Sequence, residues 1–271
     1  MKPRRFDYVR PDSVEEAIAV LAEHGDAASV LAGGQSLMAM LNLRIAEPAV
    51  LIDIARLKEL DYIRVDGDTV EVGAAVTQNR LKDWPELAAR LPLLAAALPF
   101  VGHFQTRNKG TVCGSLAHAD PSSEIPLSLA TLGGAVVLRS HRGTRTLAAP
   151  DFQLGMLTTA REPDELITAA RFPIQATKRV AFREVARRHG DFAMIAVAAV
   201  ADGKGAVRLG VGGMAGRPMV RRIGSDAAGA VGEWAQELEG YEDLHASAAL
   251  RRDLFRNLGP RVIEEARRCA A

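Results

Sequence analysis

Two glycine-containing segments, Ala32-Gly33-Gly34-Gln35-Ser36-Leu37 and Thr111-Val112-Cys113-Gly114-Ser115, carry the residue types best suited to holding an anion. Glycine lets backbone N–H groups approach an anion closely, and a Ser or Thr hydroxyl adds a further donor. One such turn is common in proteins of any function. Two of them in one chain predict two walls around a single pyrophosphate, and therefore a dinucleotide cofactor.

Polar residues capable of chemistry crowd the region around the second segment. Arg107 precedes it, and His118, Asp120, Ser122 and Glu124 follow it closely. We interpret this region as a long polar loop, and such loops in compact domains are more often functional than idle. The composition also leaves a hydrolase built on Ser122 and His118 as an alternative, although such close neighbours in sequence rarely reach the geometry of a catalytic triad.

Three other features each allow a structural interpretation beside a functional one. The residues from Gly210 to Ala215 match the spacing GxGxxA, but a dinucleotide-binding fingerprint requires a helix next, and Gly216-Arg217-Pro218 follow instead. We expect a strand end with close backbone packing there. Cys113 is either a redox thiol or a small buried residue, and the second is favoured because free cysteines are usually buried. Phe192 either covers a cofactor ring or starts a core strand.

The composition excludes several function classes. The chain has 271 residues, 25% of them charged, with a net charge of +1, so nothing favours binding to nucleic acid or to a membrane surface. Two cysteines cannot hold an iron–sulfur cluster, which needs about four ligands, and the six histidines lack zinc-site spacing. We find neither a secretory signal nor an apolar run long enough to span a membrane, and we expect a cytoplasmic protein.

The chain divides into three predicted units. Residues 1–55 form a small α/β unit, with a helix that begins at a capping box of Ser13 and Glu16 and ends at Gly25, and with strands at 28–31 and 49–54.

Residues 56–176 form an α+β unit with two hairpins, a helix at 91–98, a second helix at 122–132 and a strand at 165–172. Ser122 or Ser123 caps the second helix.

Residues 177–271 begin with antiparallel strands at 180–185, 193–201 and 206–213, joined in part by a turn at 202–205. Helices follow, the last two at 248–258 and 261–269 and separated by Gly259-Pro260.

With both glycine segments in place, the chain resembles a specific family, the medium, FAD-binding subunits of molybdenum hydroxylases of the xanthine dehydrogenase and carbon monoxide dehydrogenase type. The resemblance covers essentially the whole sequence. The matching segments are AGGQSL at 32–37 followed by PAVLID at 48–53, QTRNKGTVCGSLAHADPSSEIP at 105–126, and GDFAMIAVAA at 190–199.

The resemblance implies an α+β, PCMH-type FAD-binding fold in which the first two units clamp an extended FAD beside a C-terminal antiparallel sheet with helices. Loops matching 32–36 and 111–115 hold the pyrophosphate in this family through backbone N–H groups. The remaining residues that match positions near the cofactor are Leu37, Glu124, Ile167, Arg183 and Phe192. Cys113 departs from the family, which usually has two glycines at 113–114, and fits only if its side chain points away from the phosphates.

The same resemblance implies an electron-transfer flavoprotein subunit. Its partners are a molybdopterin-binding large subunit and a [2Fe-2S] small subunit, in a heterotrimer or a dimer of heterotrimers. FAD passes electrons from the [2Fe-2S] subunit to NAD⁺, oxygen or a quinone. A stand-alone flavin oxidoreductase and an assembly subunit without FAD are the alternatives.

Overall fold

A computed structural model describes residues 2–176, 178–202 and 204–268, and its first elements form a small parallel sheet with helices. They are β1 (Asp7–Val9), α1 (Val14–His24), β2 (Ala28–Leu31), α2 (Leu37–Leu43) and β3 (Val50–Asp53), with strand order β1-β3-β2. Ser13 caps α1 by accepting the backbone N–H of Glu16, and Gly25 ends it, as predicted. The Glu16 carboxylate accepts the N–H of Asp12, one residue before the position that a capping box requires.

The middle part of the chain forms a five-stranded antiparallel sheet covered by short helices. Its first elements are β4 (Ile63–Asp66), β5 (Thr69–Gly73), α3 (Gln78–Lys82), α4 (Leu87–Arg90), α5 (Pro92–Ala97), α6 (Phe104–Lys109), α7 (Val112–His118) and α8 (Glu124–Leu132). Its later elements are β6 (Ala135–Ser140), β7 (Gly143–Ala148), α9 (Ala149–Phe152), β8 (Gln153–Gly155), β9 (Thr158–Thr159) and β10 (Leu166–Pro173). The sheet order is β4-β5-β10-β6-β7, and the two predicted hairpins are confirmed.

The region predicted as a long polar loop is helical, so that prediction is wrong. Thr111 caps α7 because its hydroxyl oxygen accepts the backbone N–H of Gly114 at 2.9 Å, and Val112 and Leu116 bury one face of the helix. Ala119 ends α7 in the left-handed conformation. The helix predicted at 122–132 begins at Glu124, with Ser123 as its N-cap residue.

The C-terminal part forms an antiparallel meander of β11 (Val180–Val185), β12 (Ile195–Ala201), β13 (Val207–Gly212) and β14 (Met219–Ile223). The first three strands were predicted. Strand β14, which follows the helix-breaking residues Gly216-Arg217-Pro218, was not. Thr177, at the predicted unit boundary, and Gly203, in the predicted turn, lie outside the described residues. Helices α10 (Ala227–Glu237) and α11 (Ala248–Arg268) follow.

Helix α11 is continuous, which corrects the prediction of two helices separated at Gly259-Pro260. Its buried residues Phe255, Val262 and Ile263 keep one helical face on both sides of the proline. A Cβ at position 259 would lie 2.8 Å from Cγ1 of Val231, so the glycine serves close packing between α10 and α11. Tertiary packing therefore overrides the local cost of the proline. The predicted helix end at Cys269 lies outside the described residues.

Two hydrophobic clusters organise this α+β fold. The larger cluster joins the parallel sheet to the middle sheet and includes Ile18 and Leu138. The smaller one lies between the meander and the two C-terminal helices and includes Val197 and Phe255. None of the described helices combines the length and the apolar character needed to cross a membrane.

A substitution at Gly210 tests the packing of α8 on β13, the contact that joins the middle part of the chain to the C-terminal meander. A Cβ at this position would lie 2.0 Å from Oγ1 of Thr131 and 3.0 Å from Cδ1 of Leu127. Because a well-packed contact has no room for a methyl group, we expect Gly210→Ala to lower the free energy of unfolding by about 1–3 kcal/mol in urea titrations. The replacement Thr131→Ala in the same chain should recover part of that loss.

The matched control is Gly155→Ala, since nothing lies within 4 Å of a Cβ at that strand position. Alanine suits a strand better than glycine, so this variant should be as stable as the wild type or slightly more so. Equal stability of the two alanine variants would contradict the packing argument.

Candidate functional site

The first glycine segment packs against the residues that come directly before the second segment. A Cβ at Gly33 would lie 2.2 Å from the carbonyl oxygen of Lys109 and 2.7 Å from Cα of Gly110, the residues that lead into Thr111. Any side chain at position 33 would therefore push the parallel-sheet unit away from the middle unit. The two segments therefore lie close together, as the prediction of two walls around one site requires.

The first segment is a turn between β2 and α2. Gly34 has φ = +69°, a conformation that favours glycine, and its carbonyl oxygen accepts the N–H of Met38. Ser36 is the N-cap residue of α2, but its side chain makes no capping bond. Within the described part of the chain, the backbone N–H groups of residues 33–36 have no hydrogen-bond partner in the protein. These donors are free to bind an anion.

The second segment is held by residues 76–78, which lead from β5 into α3. Thr77 and Thr111 form an isolated antiparallel bridge, flanked by hydrogen bonds from Gln78 N to Gly110 O and from Val112 N to Val76 O. These bonds fix the start of α7 on the middle sheet.

Only some of the donors expected from the second segment are available. The N–H groups of Val112, Gly114 and Ser115 are already bonded inside the protein, the last two to Thr111. Among the described bonds none uses the N–H groups of Thr111 and Cys113. This segment therefore offers fewer free donors than the first, and its Thr111 hydroxyl keeps a proton to donate.

The Cys113 side chain points into the core, as the glycine-to-cysteine departure requires. Its Sγ lies 3.7 Å from the carbonyl oxygen of Val72 on β5, and the residue is 2% exposed. Burial, and secondarily the Glu71 carboxylate, raises the pKa of the Cys113 thiol to about 12. The interpretation of Cys113 as a small buried residue is supported, because a neutral, enclosed thiol is a poor redox group.

Glu124 opens α8 directly beyond the second segment and is only 4% exposed. Burial raises its pKa to about 7, with a smaller raising effect from Asp120 and a lowering effect from its own backbone N–H. Ser123, just before it, shares a hydrogen bond of 2.9 Å with Ser115 through their hydroxyl groups. Helix α8 is thus tied to the second glycine segment at Ser123, next to the residue that carries the carboxyl group.

The sequence did not single out Glu184 on β11, whose carboxyl group interacts electrostatically with that of Glu124 from the C-terminal sheet. Burial, and then the Glu124 carboxylate, raises the pKa of Glu184 to about 8, and its Oε2 is buried without a partner among the described residues. Each of the two carboxyl groups can therefore hold a proton near neutral pH. No sequence signal identifies Glu184, because the pairing depends on how β11 meets α8.

Arg183 was expected near the flavin, and its side-chain contacts lie on the face of β11 that packs on α11. Side chains alternate across β11, so that Phe182 joins the larger cluster and Ala181 joins the smaller one. Arg183 shares the face of Ala181, and both its Nε and Nη2 donate to the Glu265 carboxylate on α11 at 3.0 Å. It therefore lies on the opposite side of the meander from the glycine segments.

Phe192 and Ile167 occupy contrasting positions. Phe192 lies in the connection from β11 to β12 and is 61% exposed, so its ring is not a core residue. Gly190, two residues before Phe192, packs against His103, the N-cap residue of α6. Helix α6 ends at Lys109, whose carbonyl oxygen is the one that Gly33 approaches. Ile167 is buried in the larger cluster on β10, the strand against which α7 packs.

The hydrolase alternative lacks its geometry. The Ser122 hydroxyl is 3.0 Å from the Tyr241 hydroxyl, and the Asp120 carboxylate accepts the backbone N–H of Ser122 at 2.8 Å. Neither contact involves His118, so these three residues do not form a nucleophile–base–acid chain. Across the described residues, no group of three or more His, Cys, Asp and Glu side chains is placed to hold a metal ion.

Comparisons with known proteins show which family and which solved structures the chain is similar to. Residues 4–175 match the family described as FAD binding domain in molybdopterin dehydrogenase. The chain is 42% identical over 200 residues to the caffeine dehydrogenase subunit beta of Pseudomonas sp. (strain CBB1), covering 73% of this chain and 68% of that protein. It is 36% identical over 271 residues to the carbon monoxide dehydrogenase medium chain of Hydrogenophaga pseudoflava, covering 92% and 94%. The structure of quinoline 2-oxidoreductase from Pseudomonas putida 86 matches with a TM-score of 0.92 at 36% identity, over 98% of both chains.

The buried carboxyl group of Glu124 gives a pH-dependent prediction. Because its pKa is raised in the folded protein, the stability that its protonated form contributes is complete below the ordinary pKa and is lost as the pH rises through about 7. We expect Glu124→Gln to be more stable than the wild type by a margin that grows from about pH 5 to about pH 8, reaching roughly 1–3 kcal/mol. Urea unfolding of the full chain without added FAD measures this margin.

Glu165 supplies a control of opposite sign. Burial acts to raise the pKa of Glu165, but a two-point ion pair with Arg145, at 2.6 and 2.8 Å, and the N–H of Glu162 outweigh it and hold the pKa below its usual range. Glu165→Gln should therefore be less stable than the wild type at neutral pH, with a deficit that shrinks as the pH falls through the lowered pKa. A Glu124→Gln margin that does not change with pH would contradict the assignment.

Proposed function

The chain belongs to the family of FAD-binding domains of molybdopterin dehydrogenases, and we propose on that basis that it takes electrons from a partner [2Fe-2S] subunit and delivers them to NAD⁺, oxygen or a quinone. It is a FAD-binding medium subunit of the molybdenum hydroxylases, and its relatives are named as dehydrogenases and oxidoreductases. When bound, FAD supplies reversible oxidation and reduction. The task of the protein is to hold FAD in a fixed place and to set the charge around it.

The observation that carries this proposal is the contact between Gly33 and the Lys109–Gly110 backbone. It supports one pyrophosphate held between the two segments by the free N–H groups of residues 33–36, Thr111 and Cys113. Ala32, Leu37, Val112, Gly114 and Ser115 complete the two walls. Their main contribution is backbone shape, since three of them have their N–H groups occupied.

The remaining residues have separate proposed roles around the ring system. The exposed side chain of Phe192 offers an aromatic face, and Glu124 with Glu184 holds a proton close by. Ile167 contributes apolar backing from β10. We leave Arg183 out of the site because its guanidinium is paired with Glu265 on the far face of the meander.

Partners follow from the subunit names of the relatives. The carbon monoxide dehydrogenase relative is named a medium chain, which implies a larger and a smaller companion. We propose that a molybdopterin-binding large subunit oxidises the substrate and that a small subunit carries the iron–sulfur clusters, in a heterotrimer or its dimer. The division into units at 1–55, 56–176 and 177–271 and the cytoplasmic location remain predictions.

The alternatives differ in what the isolated chain does. A stand-alone flavin oxidoreductase would turn over a substrate without partners. An assembly subunit would lack FAD, and the reason for considering it was a side chain at Cys113. That side chain points from the second segment into the core beside Val72, which removes the objection to FAD binding.

The first experiment is a visible absorption spectrum of the purified chain, followed by titration with FAD. We expect flavin bands, with FAD released on denaturation, or recovery of the bands when FAD is added. Protein that is colourless and fails to take up FAD would contradict the proposal and favour the assembly subunit. Turnover of an organic substrate by the isolated chain would favour the stand-alone enzyme.

Gly33→Ala tests whether the contact between the segments makes the site. The added Cβ overlaps the Lys109 carbonyl, so the segments must separate, and we expect the FAD dissociation constant to rise about ten- to a hundredfold. Gly224→Ala is the control, because nothing lies within 4 Å of a Cβ at that exposed position. Unchanged affinity in Gly33→Ala, with the fold intact by circular dichroism, would show that FAD binds elsewhere.

A further inference from the structure

Arg251 on α11 is a buried cation outside the proposed FAD site. It is 1% exposed, and its Nη1 donates to the carbonyl oxygens of Met194 and Gly213, the second at 3.0 Å. Its Nη2 donates to the Asp243 carboxylate at 2.6 Å, and its guanidinium lies 4.1 Å from the centre of the Tyr241 ring. One side chain therefore joins two chain turns, an acidic residue and an aromatic ring.

Two routes of direct contact lead from Arg251 to the start of α8. In the first, the hydroxyl of Tyr241 is 3.0 Å from that of Ser122. In the second, the N–H of Gly213 donates to the carbonyl oxygen of Pro121 at 2.9 Å. Both routes end within three residues of Glu124, and the adjacent Ser123–Ser115 hydrogen bond continues to the second glycine segment.

A third contact leads toward Phe192. Met194 lies two residues after Phe192, and its carbonyl oxygen accepts a hydrogen bond from Arg251. The N–H of Met194 donates to the carbonyl oxygen of Val185 at 2.8 Å, which closes the connection between β11 and β12 that carries Phe192. A Cβ at Gly213 would lie 2.5 Å from that same Met194 carbonyl oxygen, so the two turns are packed tightly. The cation gives both carbonyl groups a hydrogen-bond donor and so holds the two turns together.

Arginine is suited to this place for geometric reasons. Its planar guanidinium can stack on an aromatic ring while donating in several in-plane directions, which an ammonium group cannot do. A buried charge is costly unless fully paired, so it is a poor means of gaining stability alone. Burial acts to raise the pKa of Asp243, but the N–H groups of His245 and Ala246 and the Arg251 guanidinium hold it below its usual range. The partner of Arg251 is thus ionised.

We propose that Arg251 is a positioning residue for the FAD site, which fixes the C-terminal sheet against the start of α8 and holds the connection that carries Phe192. This inference rests on the proposed function, because the site it serves is the FAD site. The residue touches no cofactor atom itself and acts through Tyr241, Met194 and Gly213.

The test compares four full-length variants, Arg251→Met, Arg251→Lys, Tyr241→Phe and Arg256→Met. The readouts are the FAD dissociation constant from flavin fluorescence and the visible circular dichroism of bound flavin, which reports the asymmetry of its surroundings. We expect Arg251→Met to raise the dissociation constant about tenfold or more and to change the dichroic bands, and Arg251→Lys to recover only part of the loss.

Tyr241→Phe keeps the inference falsifiable if Arg251→Met does not fold. It leaves the ring beneath Arg251 and removes only the hydroxyl contact with Ser122, so we expect an unchanged midpoint of urea unfolding, a dissociation constant raised about threefold and altered dichroic bands. The matched control is Arg256→Met on the same helix, whose side chain is partly exposed and pairs with Asp253 one turn away. It should bind FAD like the wild type.

The outcomes separate this inference from the proposed function. If the wild type binds FAD and both Arg251→Met and Tyr241→Phe keep its affinity and dichroic bands, the positioning role is wrong and the function stands. If Arg251→Met does not fold and Tyr241→Phe behaves like the wild type, the role is likewise wrong. If the wild type fails to bind FAD, both the function and the inference are overturned.

Discussion

The close approach of Gly33 to the Lys109 carbonyl is the constraint on which the rest of the site depends. Only a residue without a side chain allows this approach, since a Cβ would lie 2.2 Å from the oxygen. It brings the free N–H groups at 33–36 beside the start of α7 and joins the parallel-sheet unit to the middle unit. The bridge between Thr77 and Thr111 holds the other side fixed, so the position of both walls depends on backbone contacts.

The C-terminal meander supplies charge and rigidity to this junction. Glu184 adds a second buried carboxyl group beside Glu124, and Arg251 ties two turns of the meander to the residues before α8. Acidic groups that are protonated near neutral pH and a fully enclosed cation are costly to bury. Their concentration around one helix start indicates that this region is built for a function and not for maximal stability.

The sequence predicted the parts of the fold and site that depend on local patterns. Paired glycine segments, hairpin turns and apolar strands are local signals, and the structure has them near the predicted positions. The helix α7 was missed because Gly114 suggested a turn, whereas the Thr111 cap and the buried face of Val112 and Leu116 stabilise a helix. The continuity of α11 depends on packing against Val231, which no local pattern reveals.

The features of the site that the sequence did not reveal have a common origin in tertiary geometry. On β11 a single step along the strand exchanges the two faces, so Glu184 faces Glu124, and Arg183 faces α11. Resemblance in sequence cannot resolve such a step. The roles of Arg251 and Tyr241 likewise arise from contacts between segments far apart in the chain.

The most direct measurement of the central claim is a crystal structure of the full chain with FAD bound. The account predicts pyrophosphate oxygens within about 3 Å of backbone nitrogens from both glycine segments, at 33–36 and at Thr111 or Cys113. A pyrophosphate in contact with only one of the two segments, or located away from both, would contradict it.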